Sequence, residues 1–179
     1  MSVWFCLASG PSMTREDAET VRGKGVVAVT NNTVFLAPWA DILYSCDPGW
    51  WKKYGPQIED FQGARYCLRH NGIEPPSGVT ALEWEKGEGL GRHRLRTGHN
   101  SGYQLINLAY LCGVKTIVLL GYDMQHTGGR NHWHPDHPRG MGNFVRGMPE
   151  LCRSKFPALA RALESEGVRV INSTRQTAL

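Results

Sequence analysis

The chain has 179 residues, a length that suits one domain able to bury a substantial core. Its composition is 41% hydrophobic and 20% charged, and a formal net charge of +4 is too weak a basic balance to argue for nucleic acid as a partner. No apolar run approaches the roughly 20 residues that span a bilayer, and the five scattered cysteines, without a C-x-x-C pair, suit buried thiols in a reducing cytoplasm and not a disulfide framework.

SVWFCLA (2–8) lacks the basic leader and long apolar core of a signal peptide and reads as a first strand. The turn SGPS follows, then a helix through MTREDAETVRG with Ser12 or Thr14 as its N-cap. GVVAVT (25–30) is a second strand ending at Asn31 and Asn32, and DILYSC (41–46) a third, with Asp47 and a helix-starting Pro48 behind it. ARYCL (64–68) is a candidate fourth strand; 70–98, rich in Gly, Pro and charge, has no clear period. NSGYQLINLAYLCG (100–113) has helical spacing and a Gly113 stop, and TIVLLG (116–121) has the continuous apolar character of a central parallel strand. A long polar loop, 122–147, precedes a helix over 157–167 and a last strand over 168–172.

This alternation predicts one α/β domain over 1–179, with a mostly parallel sheet and helices on both faces. Ser9, Asn31, Asp47, Asp123 and Asn172 each fall at or just past a strand's carboxyl end, the edge where such sheets bind ligands. ASGPSM (8–13) joins the first strand to the first helix; Gly10 allows close backbone approach, and a helix N-terminus offers N–H groups to a phosphate. The loop is neither G-x-G-x-x-G nor a P-loop, and a plain βα turn is the alternative. Trp50, Trp51 and Tyr54 either stack on a base or sugar or pack in the core. The basic stretch GRHRLR (91–96) suits an anionic ligand, or is a solvated loop.

Strand–SGPS–helix, then VTNN (29–32) and ADILYSCDPGWW (40–51), resembles the N-terminal half of the superfamily of family-42 bacterial sialyltransferases and DUF115 proteins, which includes hydroxymethylpterin pyrophosphokinases. HNSGYQLINLAYLCGVKTIVLLGYDM (99–124) and VRVINSTRQTAL (168–179) are similar to its later segments. The resemblance implies a Rossmann-like fold binding a nucleotide-linked donor. Ser9, Gly10, Pro11 and Ser12 would line phosphates or ribose, Asn31, with Asn32 beside it, would contact the nucleotide, Ser101 and Gly102 would present backbone N–H groups, and Asn172 would stand near the closing strand's end. Where the sialyltransferases carry an amide, this chain has Asp47. With Asp123 it suits Mg²⁺ on a diphosphate, as in the pyrophosphokinase branch.

GGRNHWHPDHPRG (128–140) contains His132-x-His134-x-Asp136-His137, the string of a binuclear zinc hydrolase. No histidine follows His137, so the further ligands that such a site requires are missing. Two or three of the histidines holding one metal ion, or exposed loop residues, are the remaining structural readings. A general base is the more economical role, with His132 first by position, His134 second and Asp123 nearby. The expectation is a cytoplasmic transferase, of a size that suits a phage gene. It moves a group from a nucleotide or nucleotide-sugar donor to a hydroxyl of a small-molecule or glycan acceptor, with no cofactor required. A Mg²⁺-dependent pyrophosphokinase or nucleotide hydrolase using Asp47 and Asp123, and a non-catalytic nucleotide-binding protein, are the alternatives. Oligomeric state, a homo-oligomer included, stays open.

Overall fold

A computed structural model describes residues 3–138, 141–143 and 147–179; the expected active-site loop, 122–147, lies partly outside these. The strands are β1 (Val3–Leu7), β2 (Val26–Thr30), β3 (Ile42–Ser45), β4 (Ala64–Leu68), β5 (Thr80–Leu82), β6 (Thr116–Leu120) and β7 (Arg169–Asn172). They form one seven-stranded sheet in the order β5-β4-β3-β2-β1-β6-β7, and every pairing is parallel. The α/β, Rossmann-like class is as expected. The strand order reverses between β1 and β6, which opens a crevice at their carboxyl ends.

The helices are α1 (Arg15–Val21), α2 (Pro48–Tyr54), α3 (Ser101–Leu111), α4 (Met148–Arg153) and α5 (Phe156–Ser165). Three of their starts are capped by side chains. Thr14, not Ser12, caps α1 in a reciprocal capping box with Asp17. Asp47 caps α2 by accepting from the Gly49 N–H at 2.7 Å, and Asn100 caps α3 by accepting from Tyr103 N–H at 3.1 Å. The core divides into two clusters, and successive β1 residues alternate between them as strand geometry requires: Trp4 and Cys6 in one, Phe5 and Leu7 in the other. Residues of α3 and α5 belong to the first cluster, and those of α1 and α2 to the second.

Trp50 and Trp51 are both core residues, 2% and 4% exposed, so neither is a free stacking platform. Their indole N–H groups donate to Asn32 Oδ1 at 2.7 Å and to the Ser45 carbonyl at 3.0 Å. That satisfies the polar edge of each ring and lets it be buried. Of the cysteines, Cys6, Cys67 and Cys152 are buried and Cys46 partly so, whereas Cys112, expected among apolar neighbours, is exposed at the end of α3. No helix among the described residues is long and apolar enough to cross a membrane.

Helix α3 is buried from Gly102 through Ala109, on every side of the helix. The segment around 89–97 covers its outer side. Asn107 Oδ1 accepts from the Gly91 and Arg96 N–H groups at 2.9 and 3.1 Å, while its Nδ2 donates to the Gly91 carbonyl at 2.8 Å. Tyr103 donates to the Gly89 carbonyl, Gln104 to that of Thr97 at 2.9 Å, and Tyr44 of β3 to Gln104 Oε1 at 2.8 Å. GRHRLR, read as a stretch for an anionic ligand or as a solvated loop, packs along α3 with Arg92, His93 and Arg94 exposed. Leu95 is buried, Arg92 pairs with Glu166 at 2.7 Å, and Arg96 pairs with Glu85 at 3.1 Å. The basic stretch is a strap over α3 and the end of α5.

Replacing Asn107 with Leu leaves three backbone groups of that strap without their partner. The expected loss is about 2–4 kcal/mol of unfolding free energy. Urea denaturation of the variant against the wild type measures it, with an unchanged slope showing that the fold is retained.

Candidate functional site

The crevice between β1 and β6 is held by one carboxylate. Asp123, three residues past β6, accepts from the Ser12 N–H and hydroxyl, both at 2.9 Å, and from the Thr127 hydroxyl at 3.0 Å. Burial raises its pKa against the lowering effect of those bonds. Gly10 lies so close beneath that a Cβ there would sit 2.1 Å from Asp123 Oδ1 and 2.4 Å from the Gly121 carbonyl. Gly121 meets it with φ 73°, a conformation that favours glycine. The C-terminal tail closes the outside. Thr174 Oγ1 accepts from Tyr122 N–H at 2.9 Å, Ala178 N–H donates to the Asp123 carbonyl at 2.8 Å, and Arg175 pairs with Asp17 at 2.8 Å.

Two adjoining clefts open at this edge. The first, of about 70 Å³, is lined by Ser9, Gly10 and Pro11 after β1, Thr30 at the end of β2 and Asn31 after it, Asn100–Gly102 at the start of α3, Gly121 and Asp123–Gln125 after β6, and Asn131 and His132. The second, of about 240 Å³, is lined by Asn31, Cys46, Asp47, Trp50, His99, Asn100, Ser101, His132, His137, Met141–Asn143 and Met148. Asn31, Asn100, Ser101 and His132 line both. Most of the expected residues therefore converge, and Asn100, Thr30, Met124, Gln125, Asn131 and His137 join them. An N-capping Asn directly before Ser101–Gly102 was a readable signal for Asn100.

The donors available to an anion differ from the expectation. In the 8–13 turn the Gly10 N–H donates to the Gly121 carbonyl at 2.9 Å, Ser12 N–H to Asp123, and Met13 N–H to the Gly10 carbonyl at 3.0 Å. The Ser9 hydroxyl lies 2.9 Å from the Thr33 hydroxyl. The turn's polar groups thus hold the turn itself. At the other wall, Ser101 and Gly102 occupy the first turn of α3, where N–H groups have no intrahelical acceptor and the positive end of the helix dipole faces the clefts.

Four expected residues lie elsewhere, and the first of them, Ser12, is turned onto Asp123 and lines neither cleft. Asn32 is buried beneath Trp50, Asn172 accepts from Thr174 N–H at 3.1 Å and begins the tail, and His134 lines neither cleft. Asp47 and Asp123, expected to pair on Mg²⁺, are each engaged within the fold. They line different clefts, Asp123 is bonded by Ser12 and Thr127, and Asp47 Oδ1 caps α2. Among the described residues no group of three or more His, Cys, Asp or Glu side chains is placed to hold a metal ion, the histidine loop included.

Of the loop histidines His134 is buried, His132 and His137 are half-buried, and His126 is exposed. The rings of His132 and His134 are stacked with centroids 4.9 Å apart and planes at 10°. His134 lies 2.6 Å through Nδ1 from the Pro135 carbonyl, and its buried Nε2 has no hydrogen-bond partner among the described residues. Burial pushes its pKa down to about 4, against the pull of the Pro135 carbonyl and with help from His132 and His137. Burial lowers His132 as well, helped by His137 and opposed by the Ser9 backbone and Asp136. Both imidazoles are neutral at pH 7, but only His132 reaches the clefts.

Comparison with known proteins finds no matching family model, no matching curated protein and no matching solved structure.

Gly10→Ala is expected to force Asp123 off the Ser12 turn and to cost about 1–3 kcal/mol, read as a lower urea midpoint. Protonation adds a second test. The folded state holds His134 at about 4 against 6.5 for an unperturbed imidazole, so the unfolded chain binds more protons between those values. Stability contributed by neutral His134 is complete above about pH 6.5 and is lost as pH falls toward 4. The expected loss is about 1–3 kcal/mol after solvent screening. Denaturation midpoints at pH 7 and pH 4.5 measure it, and His134→Phe is expected to flatten the dependence.

Proposed function

We propose that the protein is a transferase that binds a nucleotide-linked donor at this edge, with its phosphate in the first cleft, and an acceptor hydroxyl in the second. The observation that carries the reading is the position of His132 on the wall common to both clefts, beside the N-terminus of α3. A phosphate of the donor would rest against the Ser101 and Gly102 N–H groups, where the helix dipole favours negative charge. Asn31 and Asn100 line both clefts and would orient the groups to be joined. His132, held neutral by burial, would accept the acceptor's hydroxyl proton as its oxygen attacks the transferred group. One bond forms from that oxygen to the transferred group, and the bond from the group to the nucleotide phosphate breaks. The phosphate leaves with the bonding pair, next to the helix N-terminus that stabilises it. No step is routed through a metal ion. The ordered likeness to the sialyltransferase and DUF115 superfamily supports the same class of chemistry, and Asp123 takes the part of a structural clamp and not of a catalyst.

A thermal-shift panel of nucleotides and nucleotide sugars, with and without Mg²⁺, tests the donor site. A ligand at 100 times its Kd stabilises the fold by about 2.7 kcal/mol and raises the melting temperature. His132→Ala is expected to keep that shift and to lower product formation by about 10²–10⁴-fold. Binding without turnover that His132→Ala leaves untouched would favour a nucleotide-sequestering protein. A Mg²⁺-dependent shift abolished in Asp47→Asn would favour a pyrophosphokinase or hydrolase. No shift with any nucleotide would remove the donor site.

A further inference from the structure

His137 lines the second cleft and is tied to α2, as other parts of its loop are tied to the turn after β1, Trp133 N–H donating to the Ser9 carbonyl at 3.3 Å and Arg130 to that of Pro11 at 3.2 Å. Asn143 clasps its backbone from both sides, Oδ1 accepting from the His137 N–H at 2.7 Å and Nδ2 donating to its carbonyl at 2.9 Å. The side chain meets α2, where the Tyr54 hydroxyl lies 3.1 Å from Nδ1 and the two rings are 5.7 Å apart. Tyr54 is in turn packed on the buried Trp50 and on Phe35, with centroids 5.5 and 6.1 Å away. From this brace the His137 ring lies 5.7 Å from His132 and 4.9 Å from His134, which closes a three-ring cluster with their own 4.9 Å stack.

We propose that His137, braced by Tyr54 and Asn143, is a positioning residue that fixes the His132 imidazole on the wall shared by the two clefts. The brace adds to the hold at Ser9, whose backbone contacts His132 and accepts from the neighbouring Trp133 N–H at 3.3 Å, and narrows the positions open to a proton-accepting nitrogen. The proposal rests on the transferase reading for the use made of that position; the brace acts on His132 whatever ligand enters.

The brace has an electrostatic side. Among the described residues, Asp136 attracts positive charge on all three rings and Asp47 attracts it on His137, while Tyr54 Oη, the Pro135 carbonyl and the Ser9 backbone contact the rings directly. Burial is the main force that keeps His132 neutral, and positive charge on His137 adds to it. A ring so placed stays ready to accept a proton at neutral pH.

Tyr54→Phe and His137→Asn test the proposal in the full chain. NMR titration of the ¹⁵N-labelled imidazoles reads His132 directly and needs no substrate. The His132 titration is expected to move to higher pH in His137→Asn, which removes the neighbouring charge, and to move less far in Tyr54→Phe, which keeps the His137 ring but frees it from its hydrogen bond. With a donor found in the nucleotide panel, Tyr54→Phe is expected to lower kcat about two- to tenfold at unchanged KM, the effect of one hydrogen bond. The acid limb of kcat/KM is expected to move to higher pH in His137→Asn. An unmoved His132 titration in variants that keep the wild-type melting temperature overturns the proposal. Should His137→Asn unfold, Tyr54→Phe, which keeps the ring packing, decides alone. Absence of turnover with every donor counts against the transferase reading and leaves the titration result to judge the brace.

Discussion

The Asp123 carboxylate is the constraint on which the site depends. It stands where the strand order reverses and joins the turn after β1 to the loop after β6 through Ser12 and Thr127. The approach is so close that only a residue without Cβ fits at Gly10. Burial works against the charge, and the three donated bonds offset that penalty. The Gly10, Ser12 and Met13 N–H groups are bonded within this closure, so the N–H groups offered to an anion lie chiefly at the other wall, the first turn of α3.

Helix α3 can serve that role because it is immobilised on all sides. Asn100 caps its start, Gln104 and Tyr44 tie it to the sheet, and Asn107 holds the 89–97 strap across its outer surface. A buried polar residue normally has to be paired, and here each pairing fixes a backbone segment. Arg92 and Arg96 of the strap pair with Glu166 and Glu85, none of which lines the clefts, whose walls carry Asp47 and Asp123 beside neutral groups and the start of α3.

Much of the architecture was legible in the chain. β2 and β6 are continuous apolar runs, which is how a strand buried on both faces reads, and the caps at Thr14, Asp47 and Asn100 use side chains suited to that role. β5 was not legible, since three residues between Gly- and Pro-rich stretches carry no period. Neither was α4, which begins after a left-handed Gly147 and has only six residues. Local pattern did not separate Asn31 from Asn32, or His132 from His134. In each pair one member reaches the clefts and the other is turned inward, and neighbours distant in the chain make that choice.

Alternation of apolar runs and helical periods determined a parallel sheet, and with it the edge where polar strand ends gather, because these signals are local and repeat along the chain. Which of those polar groups bond to one another and which face the clefts was decided by the tertiary structure alone. The partner of Ser12 is 111 residues away, that of Trp50 is 18 and that of Tyr54 is 83. A hydrogen bond's use is settled by the atom at its other end, and no local pattern says which distant atom that is.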